Sequence, residues 1–238
     1  RRMMSVLLLG FVIGMRHALE ADHVAAVASL AVRSRSIAQS VREGAAWGFG
    51  HTLTLFAVGA FVLLAGTSIP DRLAVVLEAL VGVMLIVLGL DVARRLIRDR
   101  GHFHTHQHDD GEHHFHAHSH RGELRSGHDP VAHEHTHAKP FPGRALMIGL
   151  MHGLAGSGAL VVLALATVRS PSLGVLYIVL FGLGSILGMA VLSMVLAVPL
   201  RWSGSRLTWL HRSAQVLVSV LNLGLGVMLI LPAVDAFA

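Results

Sequence analysis

The chain has 238 residues, 53% of them hydrophobic and 14% charged, with a mean hydropathy of +0.64. Soluble domains carry about 25% charged residues, so this composition belongs in lipid. The absence of cysteine excludes disulfides and thiolate metal sites, and the formal charge of +5 does not point to nucleic acid, because the arginines cluster at the ends of apolar runs.

Apolar runs predict six membrane-spanning helices, at 4–31, 45–66, 73–97, 144–168, 173–200 and 213–235. Each meets the roughly 18–20 residues needed to cross a bilayer core. The expected fold is therefore an all-α, polytopic membrane helical bundle. The opening residues, Arg1-Arg2 followed by an apolar stretch, resemble a signal peptide, with Ala18 to Ala21 in the place of a cleavage site. Cleavage there removes His17, so the reading kept here is a span.

The first span is interrupted by Arg16, His17, Glu20, Asp22 and His23. A charge at bilayer depth costs about 2.5–3.5 kcal/mol on insertion scales and usually faces a bundle interior. On a straight helix His17, Glu20 and His23 share a stripe about 120° wide, while Asp22 points away. Either Asp22 meets another helix, balancing Arg16, or the helix is distorted and Asp22 swings inward; broken helices are tolerated where they line a cavity. Two imidazoles with a carboxylate suit a borderline divalent cation, whereas magnesium or calcium calls for oxygen ligands. The competing reading is a structural polar cluster acting as helix glue.

The second span contributes His51 within Gly50-His51-Thr52, a ligand or gate when read beside the first cluster. In the third, Asp91 precedes Arg94 and Arg95 at one end, where an interfacial salt bridge is an equal reading, and Glu78 is interfacial. Residues 99–143 form a polar stretch between the halves. It holds 13 of the 18 histidines, among them His102, His104, His106, His108, His113, His114, His116, His118 and His120. Such a composition buries too little apolar surface to fold alone, and its imidazoles suit loose metal buffering. The fourth span carries His152, followed by Gly153, Gly156, Ser157 and Gly158, which loosen the helix beside a pathway. In the sixth, Ser219 and Asn222 are expected as interhelical hydrogen bonders.

An internal repeat relates the two halves, 1–98 and 144–238. Ile13-Gly14-Met15-Arg16-His17-Ala18-Leu19 aligns with Ile148-Gly149-Leu150-Met151-His152-Gly153-Leu154, Gly48-Phe49-Gly50 with Gly182-Leu183-Gly184, and Leu80-Val81-Gly82-Val83 with Leu217-Val218-Ser219-Val220. Three spans per half make the repeats inverted, a recurring transporter plan. Fourteen Lys and Arg lie on one side of the six spans against four on the other. The positive-inside rule then predicts a cell (inner) membrane protein with its His-rich stretch cytoplasmic and its termini outside.

The segment His17-Ala18-Leu19-Glu20-Ala21-Asp22-His23 resembles the His-x4-Asp-His signature of the nickel/cobalt transporters, the NiCoT and broader NicO group. Gly50-His51-Thr52 is similar to that family's second histidine motif, and Leu88-Gly89-Leu90-Asp91 to its third. The family usually has Asp at the position of Glu20, carries polar residues where this chain has Val92-Ala93, and has many members with eight spans. The resemblance implies that His17, Asp22 and His23 select the metal with His51. Ni²⁺ or Co²⁺ is then a transported substrate rather than a cofactor, and metallochaperones of urease or hydrogenase are the implied partners. The expected function is a permease, not an enzyme: no nucleotide-binding motif, no His-Glu-x-x-His and no second dense ligand cluster is present in the spans. Uptake is expected, with efflux or metal storage through the His-rich stretch as alternatives.

Overall fold

The computed structural model describes residues 2–34, 36–65, 70–98, 103–107, 113–117, 142–154, 171–206 and 208–237. In chain order these form α1 (Arg2–His17), α2 (Ala21–Ala31), α3 (Ile37–Ala65), α4 (Asp71–Arg98), the strands β1 (Phe103–Gln107) and β2 (His113–Ala117), α5 (143–154), α6 (Pro171–Arg206) and α7 (Thr208–Phe237). The molecule is a helical membrane bundle: α3, α4, α6 and α7 are long and apolar enough to cross a bilayer.

The first expected span is not one helix. It divides into α1 and α2, whose apolar stretches, Leu8–His17 and Ala21–Ala31, are each too short to cross alone. Two short-range bonds close α1, from Leu19 N–H to the Arg16 carbonyl at 2.9 Å and from Glu20 N–H to the His17 carbonyl at 3.1 Å. Such bonds tighten a last turn and end it. Glu20 then adopts extended backbone (φ −64°, ψ 148°) and opens α2 without a side-chain capping bond. Asp22 supplies the anion at this terminus, its Oδ1 accepting the His23 N–H at 2.8 Å, where the helix dipole favours negative charge.

The other helices start on ordinary signals. Ser36 Oγ accepts the Gln39 N–H ahead of α3, and Pro171 stands at the first position of α6. Pro199 and Pro232 lie inside α6 and α7, as membrane helices allow. Of the fourth expected span, residues 143–154 are helical and 155–168, with Gly156, Ser157 and Gly158, lie outside the described residues.

Small residues set the packing. Helix α1 lies on α6, where a Cβ on Gly14 would fall 2.0 Å from the Phe181 carbonyl oxygen and one on Gly184 2.1 Å from that of Phe11. Helix α5 lies on α3 in the same way, with Gly149 against the Trp47 carbonyl at 2.0 Å and Gly50 against that of Leu146 at 2.4 Å. No other residue fits such backbone-to-backbone crossings, which replace the hydrophobic driving force that lipid removes. Helices α3 and α6 cross through Gly48 and Gly182, while α4 and α7 meet through Gly82 and Gly226. Ser219 Oγ donates to the Gly89 carbonyl at 2.8 Å across that second contact, and Asn222 Nδ2 donates to the Ala25 carbonyl at 3.1 Å. Both are the interhelical bonders expected. Helix α2 is wedged among α3, α4, α6 and α7, burying Ala25, Ala26, Val27 and Leu30 with Leu85, Leu88 and Met189. Outward, Val83, Val87 and Leu90 of α4 and Leu217, Val220 and Met228 of α7 present an apolar surface suited to acyl chains.

Where composition predicts no regular structure, ten residues of the His-rich stretch form a hairpin. β1 and β2 pair antiparallel with His104 opposite His116 and His106 opposite His114. Histidines at every second position carry a strand's period. His113 ends β2's ladder opposite Gln107, while His102, His108, His118 and His120 lie outside the described residues.

Candidate metal centre

The break between α1 and α2 brings together residues that a straight helix would separate. His17, at the last turn of α1, and His23, in the first turn of α2, have ring centroids 4.4 Å apart. Helix α3 brings His51, with Nε2 3.2 Å from His17 Nε2, and α5 brings His152, with its ring centroid 4.3 Å from that of His23. His23, His51 and His152 are at most 1% exposed and His17 is 6% exposed.

Asp22 resolves both alternatives left by the spacing. The helix is broken, and Asp22 also meets another helix. Its Oδ1 accepts from His23 Nδ1 at 2.8 Å and its Oδ2 from His152 Nε2 at 3.1 Å. Arg16, the other partner considered, is exposed. Glu20 Oε1 lies 2.7 Å from His17 Nδ1 while most of its side chain remains accessible, at 57%. Glu20 thus stands at the accessible edge of the cluster, against His17.

These carboxylates assign the ring protons. With Glu20 accepting the Nδ1–H, a neutral His17 keeps its lone pair on Nε2, toward His51. With Asp22 accepting the Nδ1–H of His23, the lone pair falls on Nε2, which is buried and has no hydrogen-bond partner. His51 Nδ1 and His152 Nδ1 are likewise buried and unpartnered. Buried polar atoms are usually satisfied, so three imidazole nitrogens without a partner in one cluster offer lone pairs of the kind a metal ion accepts. A carboxylate holding the far side of a ligating imidazole is the usual outer support of a metal site.

Two triads fit one ion each. His17, His23 and His51 offer ligand atoms within 4.8 Å of one another, and so do Asp22, His23 and His152. A nitrogen-rich set with one carboxylate suits nickel, cobalt or zinc.

The residues absent from the sequence-based site are aromatic. Trp47, fully buried, has its ring 5.4 Å from His23 and 5.5 Å from His152, and Phe181 stands 5.3 Å from His17. Trp47 precedes His51 by four residues, one turn along the same face of α3. That spacing was the available signal. The two rings stand against the imidazoles and form part of the cluster's wall.

Asp91 stands apart, in a second polar cluster. It bonds Arg33 and Arg144, the latter at 3.1 Å, with Arg95 Nε at 3.7 Å. The salt bridge read from the sequence is present, but its principal partners come from the α2–α3 connection and the start of α5. Glu78 lies among the exposed positions of α4.

No protein-family model and no solved structure matches the chain. The urease accessory protein UreH of Bacillus sp. (strain TB-90) is 33% identical over 205 residues, a match covering 86% of this chain and 82% of that one. The aligned length takes in far more than the histidine motifs. The chain therefore belongs, with that accessory protein, to the nickel/cobalt transporter family.

Proposed function

We propose that the protein is a secondary permease carrying Ni²⁺, Co²⁺ or both into the cell, with the buried cluster as the substrate site. The observation that carries this reading is the set of unpartnered imidazole nitrogens at a helix break, contributed by both halves of the chain. A discontinuous helix exposing its ends to an ion is a recurring transporter device. His17, Asp22, His23, His51 and His152 hold the ion in place of its water shell, and Glu20 orients His17 at the accessible edge. The similarity to UreH, a urease accessory protein, supports a nickel-handling role. The metallochaperones of such an enzyme are the receiving partners on this reading.

The halves 1–98 and 144–238 are two inverted repeats of three spans each, with α1 and α2 together making the first span of the first half. Matched contacts support this: Gly14 on Phe181 corresponds to Gly149 on Trp47, Gly184 on Phe11 to Gly50 on Leu146, and Gly48 on Ile186 to Gly182 on Thr52, each at the spacing of the sequence repeat. Rocking of one repeat against the other then opens the site alternately to each side. With the Arg-rich connections cytoplasmic, the membrane potential contributes about 4.6 kcal/mol per 100 mV to a divalent cation moving inward. That sustains a gradient of roughly a thousandfold or more.

Uptake of ⁶³Ni²⁺ by cells expressing the protein tests the reading. Accumulation is expected to rise over the control and to fall to it with His17→Ala or His23→Ala. Unchanged accumulation in both variants refutes substrate binding at the cluster. A lower cellular content with the wild-type protein means export, a direction that the His-rich stretch also suits as a collector of cytoplasmic metal. If deleting residues 102–137 abolishes the activity, the protein stores metal instead of moving it.

A further inference from the structure

The two triads share one residue, and this sharing has a chemical consequence. His23 stands between the other rings, 4.4 Å from His17 and 4.3 Å from His152. Its Nδ1 faces Asp22, itself bonded to His152, and its Nε2 is the orphaned nitrogen. A neutral imidazole has a single lone pair, on one nitrogen or the other. His23 therefore ligates toward one triad at a time.

Resting on the transport reading above, we infer that the cluster is two mutually exclusive stations for one divalent cation, His17–His23–His51 and Asp22–His23–His152, with His23 passing the ion between them. At the first station the ion takes His23 Nε2, and Asp22 holds the Nδ1 proton. At the second it takes Nδ1 together with the Asp22 carboxylate and His152. The ring proton then resides on Nε2, so His23 stays neutral and no proton is gained or lost by it. His152 makes the same exchange: its Nε2 proton, now given to Asp22, moves to the orphaned Nδ1 when Nε2 becomes the ligand.

The stations also differ in what they join. The first is built wholly from residues before position 52, on α1, α2 and α3; the second adds α5, from the other half of the chain. An ion at the second station adds a ligand bridge between the halves, and one at the first does not. Each station has one partly accessible carboxylate beside it, Glu20 at 57% and Asp22 at 29%. The change from three imidazoles to two imidazoles and a carboxylate alters the ligand field, which makes the handover visible by spectroscopy.

Co²⁺ titration of the purified full-length protein in detergent, followed by visible absorption, tests the two stations. His23→Ala lacks both and retains the His-rich stretch, so it serves as the reference. Relative to it, wild type is expected to bind one further Co²⁺. His51→Ala and His152→Ala are each expected to keep that ion within about tenfold in affinity, with d–d bands that differ from each other, while losing vesicle flux. His51→Gln and His152→Gln repeat the measurement with side-chain volume largely retained. Two outcomes overturn the stations while leaving a single metal site: both variants binding no more than the reference, or both giving the wild-type spectrum. If wild type itself binds no more than the reference, the substrate-site reading falls as well.

Discussion

The bundle contains two polar clusters, and they are built on opposite principles. Around Asp91, three arginines converge on one carboxylate oxygen, Oδ2, at a half-exposed edge. Around His23, four imidazoles and Asp22 lie in the interior with three ring nitrogens left over. A cluster that satisfies itself holds helices together: Arg33, Asp91 and Arg144 fasten the α2–α3 connection to α4 and α5. One with unpartnered lone pairs in the interior suits the binding proposed above, because leaving a buried acceptor unmade costs about 1–3 kcal/mol. On that reading polar side chains serve as glue in one place and as a binding site in the other.

Substitutions that separate these roles sharpen the comparison. The largest effect is expected for Asp22→Asn, which keeps the shape but removes the charge orienting both His23 and His152. Its Co²⁺ affinity should fall by about 10–100-fold in titrations referred to His23→Ala. Glu20→Gln touches only His17, from an accessible position, and should cost about tenfold or less in the same measurement. Asp91→Asn should leave Co²⁺ affinity within about twofold yet lower thermal stability in detergent by about 1–2 kcal/mol, since Arg33 and Arg144 lose their shared partner. Loss of metal binding in Asp91→Asn would break the comparison, by joining the two clusters. The smallest effect at the buried cluster belongs to deletion of residues 102–137: total metal capacity should drop, while the ion bound in excess of the His23→Ala reference, compared in the same deletion background, remains.

How far the sequence reached differs from feature to feature. The long apolar helices were legible because lipid demands about twenty apolar residues and satisfied backbone bonds, a constraint read directly from hydropathy. Their ends came out longer in the structure, as with α3, which begins at Ile37 rather than near residue 45, because helices continue past the hydrocarbon once a cap such as Ser36 is available. His17, Asp22, His23, His51 and His152 were legible by chemistry, since imidazoles and carboxylates in apolar runs need a reason to be there. Asp22 was ambiguous, because a helical wheel assumes a continuous helix and this one is interrupted at Ala18–Glu20. Trp47 was passed over because an aromatic in a membrane helix is unremarkable until the imidazoles it walls are seen. The hairpin of β1 and β2 was hidden by composition, although its two-residue histidine period was present.

The sequence by itself determined that the chain is a helical membrane protein, that it offers no thiolate, and which histidines fall within apolar runs, because these follow from residue type and local period. Only the tertiary structure decided which ligands meet. Glycine crossings at Gly14, Gly50, Gly149 and Gly184 set how closely α1, α3, α5 and α6 approach, and the break before Ala21 turns Asp22 and His23 inward. A coordination sphere depends on distances of a few ångströms between residues as far apart as His17 and His152, and such distances arise from packing that no local pattern encodes.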